Sequence, residues 1–144
     1  MRIDGQWLVC DDGVVRPVIS GDIRTADGSW EKSEFLVDTG AARTVFSAAT
    51  LARLALQPLA MPEGLSGVGG MAAAVIVETQ IHLTREDAGN VVFRGQYAAV
   101  TELEALDISV LGRDITDVFA VIVDRLRDVV CLLGQRHHYT IQQD

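Results

Sequence analysis

Three apolar, strand-forming residues, Phe35-Leu36-Val37, run directly into Asp38-Thr39-Gly40, and this junction constrains the chain more than any other stretch. A carboxylate at the end of a buried run is costly unless it is paired or hydrogen-bonded. Thr39 supplies a hydroxyl, and Gly40 permits a tight turn that brings backbone close to the carboxylate. By itself the tripeptide is weak, because a turn with a capping Asp would read the same way. What surrounds it must decide.

The surroundings read as strands. Trp7–Cys10 and Val14–Ser20 are short β-rich runs on either side of Asp11-Asp12-Gly13, a hairpin-turn signal. Ala26-Asp27-Gly28-Ser29 is a second turn, Glu34–Val37 a strand, and Thr44-Val45-Phe46 resumes extended structure. Ser47 as N-cap with Leu51, Leu54 and Leu56 at helical spacing predicts one helix, ended by Pro58. Residues 58–70, with two prolines and four glycines, read as a loop. Ala72–Thr84 and Val91–Val100 form a long hairpin about a turn at Glu86–Asn90, and Ile108–Leu111 is a buried strand. Gly112–Val118 is a short helix, and Phe119–Val123 with Val129–Leu133 a last hairpin. The expected fold is mainly β, a closed or folded-over barrel with one or two short helices.

Composition narrows the function. A chain of 144 residues fits one domain, with a core at about 14–133 and end segments 1–13 and 135–144 of unassigned role. Twelve Lys and Arg against twenty Asp and Glu give a net charge of −8, and the cations are scattered, which argues against a nucleic-acid partner or a polybasic membrane patch. Hydrophobic residues reach 49% and mean hydropathy is +0.23, a high apolar content for a small monomer and a hint of a second subunit. The longest apolar run, Met71–Val77, is far short of the ~18 residues a membrane helix needs. The first residues carry no apolar signal core, so a cytoplasmic location is expected. Cys10 and Cys131 lack metal-ligand or Cys-x-x-Cys spacing and read as two thiols; a disulfide between them stays open.

Two further motifs give the tripeptide its context. Gly67-Val68-Gly69-Gly70 opens the long hairpin, and Val110-Leu111-Gly112-Arg113-Asp114 ends a strand some seventy residues after Asp38. In order, spacing and content the three elements resemble the retroviral-type (retropepsin-like) aspartic proteases, over about Val14 to Leu133. The resemblance implies that Asp38 is the catalytic carboxylate, with Thr39 bonding across a twofold axis and Gly40 meeting the substrate backbone. It implies substrate contacts at Ala41, Ala42, Arg43, Ile108 and Val110, and at Gly67, Val68 and Gly69 of a mobile flap. Leu111, Gly112 and Arg113 would support the catalytic loop, and Thr44 matches the family's hydroxyl. Relatives often carry an Asp that pairs with this arginine; here its place is taken by Ala42, so Arg113 must find another partner.

The chemistry implied needs two carboxylates sharing a proton, because two like charges ~3 Å apart cannot both ionise. The chain has one Asp-Thr-Gly; its other aspartates sit in turns (Asp11, Asp12, Asp27, Asp87) or, like Asp107 and Asp114, lack a following Thr-Gly. The second carboxylate must then come from Asp38 of another copy, making a homodimer that cleaves an extended polypeptide. Ala41 brings no hydroxyl beside the carboxylate, which predicts an activity optimum only mildly acidic, at about pH 5–6.5. The alternative is an inactive dimerisation or peptide-binding module of the same fold.

Other chemistries fare worse. His137-His138 and His82 have no acidic or Cys cluster at ligand spacing, so neither metal nor other cofactor is expected. Gly67–Gly70 lacks the Lys-Ser/Thr of a phosphate loop, and Ser47 lacks the context of a nucleophile. Trp7 and Trp30 read as core or interface aromatics.

Overall fold

The computed structural model describes residues 1–59, 63–67, 70–134 and 142. Along the chain come β1 (Arg2–Asp4), β2 (Gln6–Val9), β3 (Val15–Arg24), β4 (Trp30–Val37), β5 (Val45–Phe46) and α1 (Ala48–Leu54). There follow β6 (Glu63–Gly67), β7 (Gly70–Thr84), β8 (Asn90–Val100), β9 (Ser109–Leu111), α2 (Arg113–Thr116), β10 (Ala120–Asp124) and β11 (Val129–Leu133). The fold is mainly β, as its alternating and turn-punctuated sequence predicts.

The larger sheet runs β2-β3-β4-β9-β5-β8-β7-β6, and an extra pairing of β3 with β7 joins its two halves. The strands β3, β4, β9, β5, β8 and β7 therefore close on themselves, with β2 and β6 hanging from the ring. Closure leaves one interior, and the side chains that alternate inward fill it. Ile19, Ile23, Phe35, Phe46, Ile81, Leu83 and Leu111 are fully buried there. Phe46 contacts both Phe35 and Tyr97, with ring centroids 6.2 and 5.6 Å apart. Each large apolar side chain so buried stabilises the fold by about 1.5–3 kcal/mol. A second sheet, β1-β11-β10, packs beside the ring: Gly5 N–H donates to the Val130 carbonyl and Trp7 Nε1 to the Asp124 carbonyl.

Two local expectations give way. The helix α1 is capped by Ser47, whose Oγ accepts from Thr50 N–H as expected, but it ends at Ala55 in the left-handed region and not at Pro58. Residues 63–67, read as loop from their glycines, form β6 because β7 extends beyond β8 and offers a free edge to pair with. Trp30 lies at the surface, 38% exposed, stacked on the His82 ring at 3.8 Å with the Arg24 guanidinium 5.5 Å above it. Trp7 is half-buried. Both cysteines are free thiols, Cys131 buried and Cys10 half-buried.

Candidate active site

Strand β9 lies between β4 and β5, the two strands that the 38–44 loop connects. It runs parallel to β4, with Phe35, Leu36 and Val37 opposite Ser109, Val110 and Leu111, and antiparallel to β5, with Val45 opposite Val110. The loop is thus held across the end of the strand that splits its two legs. Asp38 N–H continues the ladder to the Leu111 carbonyl at 3.2 Å, so the carboxylate emerges at the end of β4 with its backbone fixed.

Beyond that point the chain turns tightly. Ala41 N–H donates to the Asp38 carbonyl at 3.2 Å, and Gly40 N–H donates to Asp38 Oδ1 at 2.9 Å. The second bond orients the carboxylate with one oxygen engaged. Asp38 is half-buried while Thr39, Gly40, Ala42 and Arg43 are exposed, so the loop presents an open outer face.

The segment 110–114 clamps this loop. Arg113 N–H donates to the Ala41 carbonyl at 2.8 Å, and Arg113 Nη1 donates to the Thr39 carbonyl at 3.0 Å. The partner that Ala42 could not supply is therefore a main-chain carbonyl of the Asp-Thr-Gly turn itself. Gly112 packs so closely that a Cβ there would lie 2.2 Å from the Arg43 carbonyl carbon and 2.3 Å from its oxygen. Only glycine permits that approach.

Thr44 completes the clamp. Its side chain is fully buried; Oγ1 donates to Asp114 Oδ1 at 2.7 Å and accepts from Gly112 N–H at 3.1 Å. Its N–H also donates to the Asp114 carboxylate, at 2.9 and 3.0 Å to the two oxygens. A lower layer of hydroxyls ties α1 to β9: Ser47 N–H donates to Ser109 Oγ at 3.0 Å, and Ser109 Oγ reaches Thr50 Oγ1 at 3.3 Å. Asp114 as acceptor and the Ser47–Thr50–Ser109 set escape a reading of the sequence. The only signal for them was hydroxyls interrupting apolar runs, which is also what solvent-facing positions look like.

The other candidate residues are distributed more loosely. Val110 and Leu111 are buried in the single chain, and Ile108 is half-buried. Gly67 ends β6 opposite Gly70. Val68 and Gly69 lie outside the described residues, as do His137 and His138. A cleft of about 380 Å³ flanks the loop, lined by Arg43, Thr44, Ile76, Gln96, Ala98 and Asp114. The larger cavity, about 440 Å³, includes Arg24, Leu56, Glu78 and Arg94 in its lining and shares no residue with the loop. Tyr97 is buried beside this region, and burial, with the negative charge of Asp114 adding to it, pushes its phenol up to about 12, so it stays neutral. Among the described residues no group of three or more His, Cys, Asp or Glu is placed to hold a metal, and no helix is long and apolar enough to cross a membrane.

The family model described as "gag-polyprotein putative aspartyl protease" matches residues 25–116, well over half of the chain and all of the clamped loop. Among solved structures, a retropepsin-like aspartic protease from Rickettsia conorii is 19% identical with a TM-score of 0.59, covering 92% of this chain and 98% of that one. The EIAV protease complexed with the inhibitor HBY-793 is 23% identical with a TM-score of 0.49, covering 71% and 86% respectively. No curated protein sequence matches the chain. With its Asp-Thr-Gly loop clamped by the Gly-Arg-Asp segment across β9, and with the family match spanning both, the chain belongs to the gag-polyprotein aspartyl protease family.

Proposed function

We propose that the chain is an aspartic endopeptidase acting as a homodimer, in which Asp38 and Asp38 of a second copy form the catalytic pair. The observation that carries this reading is the loop at Asp38–Gly40: its backbone is fixed from below by Leu111 and Arg113, and its outer face is exposed. A rigid loop with an open face is what a shared site across a twofold axis requires.

In the pair, one carboxylate is ionised and the other holds the single proton. The ionised group takes a proton from a bound water as the water oxygen attacks the scissile carbonyl carbon, and the protonated group gives its proton to the carbonyl oxygen. The resulting gem-diol then collapses: a diol hydroxyl returns its proton to a carboxylate, the amide nitrogen is protonated by the other, and the C–N bond breaks. Both protons are accounted for and the pair returns to its starting state. Thr39 and Gly40 would hold the pair and the substrate backbone, while Ala41, Ala42, Arg43, Ile108 and Val110 would contact substrate residues flanking the cut.

The test is digestion of a peptide library by the wild type and by Asp38→Asn, with sedimentation run alongside. Cleavage should fall by at least about 10³-fold in the variant while assembly is kept. Cleavage that survives Asp38→Asn overturns the mechanism. A confirmed dimer that cuts nothing from about pH 3 to about pH 7 is instead a peptide-binding module.

A further inference from the structure

The outer wall of the barrel holds a second concave site, the cavity of about 440 Å³ between β3, β7, β8 and the segment after α1. Strands β3 and β7 pair only at Asp22–His82 and Ile23–Ile81, and the cavity opens where they part at Arg24. Its walls are tied down. Thr79 Oγ1 donates to the Arg24 carbonyl at 2.7 Å, and Ala26 N–H donates to the Leu54 carbonyl at 3.0 Å, docking the 25–29 turn on the end of α1. A volume of this order suits a ligand site.

Its charge sets it apart. The chain has a net charge of −8, and most of its arginines are engaged: six sit in ion pairs, Arg113 holds the Thr39 carbonyl, and Arg43 also has a partner. Of the described arginines, only Arg24 and Arg94 lack an oxygen partner, and both line this cavity. Both are exposed, and Arg24 is steadied by the Trp30 ring, 5.5 Å from its centroid. Glu78 is the one carboxylate in the lining and forms an ion pair with neither, so two cations face one anion. The guanidinium fork takes a carboxylate by two parallel N–H bonds.

The cavity also lies on a path out of the cleft. Ile76, Glu78 and Gln80 share the outer face of β7, opposite Ala98, Gln96 and Arg94 of β8. Ile76, Ala98 and Gln96 line the cleft beside the Asp38 loop, whereas Glu78, Gln80 and Arg94 line the cavity. Four residues of extended chain, ~13 Å, cover the distance from Ile76 to Gln80.

We infer that this cavity is an exosite for an acidic segment of the polypeptide substrate, held by Arg24 and Arg94 outside the catalytic cleft. The inference rests on the endopeptidase reading, which supplies the polypeptide. In a twofold dimer each copy presents one such site, so an acidic segment on either side of the cut meets one.

The test uses the full chain carrying Asp38→Asn, so that binding is read without turnover. By fluorescence anisotropy at low salt, a labelled peptide with four successive glutamates should bind at least about fivefold more tightly than its glutamine counterpart. Arg24→Gln together with Arg94→Gln should abolish that difference, whereas Glu78→Gln should widen it. A gain from Glu78→Gln separates charge complementarity from damage to the fold. With Asp38 restored, a peptide that is cut should gain in kcat/KM when a four-residue spacer and glutamates are added, and the gain should vanish with both arginines. Equal binding of the two peptides, or a preference that survives loss of both arginines, overturns the exosite and leaves the endopeptidase reading standing. So does acidic binding that brings no gain in cleavage, or displacement of the acidic peptide by a single-stranded oligonucleotide of equal charge. Acidic binding that needs both arginines, in a wild type that cuts nothing, keeps the acidic-segment site and overturns the endopeptidase reading.

Discussion

Arg113 donates through Nη1 to the Thr39 carbonyl at 3.0 Å while its main-chain N–H donates to the Ala41 carbonyl at 2.8 Å. One residue thus holds two points of the Asp-Thr-Gly turn, one by backbone and one by side chain. The guanidinium finds its acceptor in a main-chain carbonyl of the turn it supports, so it needs no carboxylate at position 42.

That division predicts how Arg113 variants behave. Arg113→Met keeps the backbone bond and loses the side-chain bond, so the fold should survive and the turn loosen. We expect kcat to fall about 10- to 100-fold with KM nearly unchanged and little change in the thermal midpoint. Steady-state kinetics beside a melting curve separates this from simple destabilisation; equal losses in both would contradict a positioning role.

Thr44 carries more stability than its size implies. Thr44→Val conserves shape but leaves the Gly112 N–H without its acceptor, in a place with no exposure. The cost should be about 1–3 kcal/mol in urea unfolding, and Thr44→Ser should recover most of it. If Val is tolerated as well as Ser, the hydroxyl does not hold the loop.

Gly112→Ala should be at least as harmful for a steric reason, since its Cβ would overlap the Arg43 backbone. Backbone cannot swing aside as a side-chain tip can, so about 1–3 kcal/mol of overpacking strain is expected together with loss of activity. Unfolding midpoints compared with Gly112→Ser, which carries the same Cβ, should show equal damage.

The 25–29 turn makes stability depend on acid. The Ser29 hydroxyl, then the Thr25 hydroxyl and Ser29 N–H, hold the Asp27 carboxyl down to about 2. The folded value lies below the unfolded one of about 3.9, so the stabilisation is complete above about pH 4 and is lost as pH falls toward 2. Asp27→Ala should therefore lower the melting temperature at pH 7 and make little difference at pH 2. An equal deficit at both would mean that the carboxylate's charge is not involved.

Ala41→Ser tests the pH behaviour of the proposed pair. A hydroxyl placed beside the carboxylates favours their ionised form, so the acid limb of kcat/KM should move to lower pH. A shift in the alkaline direction, or none, would remove Ala41 from any part in setting the optimum.

Much of the barrel was legible along the chain because its long strands are local objects: β7 and β8 alternate, and the turns at 11–13, 26–29 and 86–90 carry their own glycine and aspartate signals. The strand at β6 was not, since its glycines signal a loop and only the free length of β7 makes them a strand. The end of α1 was misplaced for a similar reason. Pro58 advertises a stop, whereas Ala55 takes the left-handed conformation with no signal in its own identity, while Leu54, just before it, gives its carbonyl to Ala26 N–H.

By itself the sequence determined that a carboxylate ends a buried strand, that a Gly-Arg-Asp segment follows another, and that one chain holds one such carboxylate. Those are matters of residue type and order. Only the tertiary structure decided that β9 slips between the two legs of the Asp38 loop, that Arg113 bonds a carbonyl where Ala42 offers nothing, and that Glu86 closes the outer edge of β1. Each of these depends on groups some 65 to 84 residues apart meeting within hydrogen-bond distance, and separation along the chain carries no trace of that.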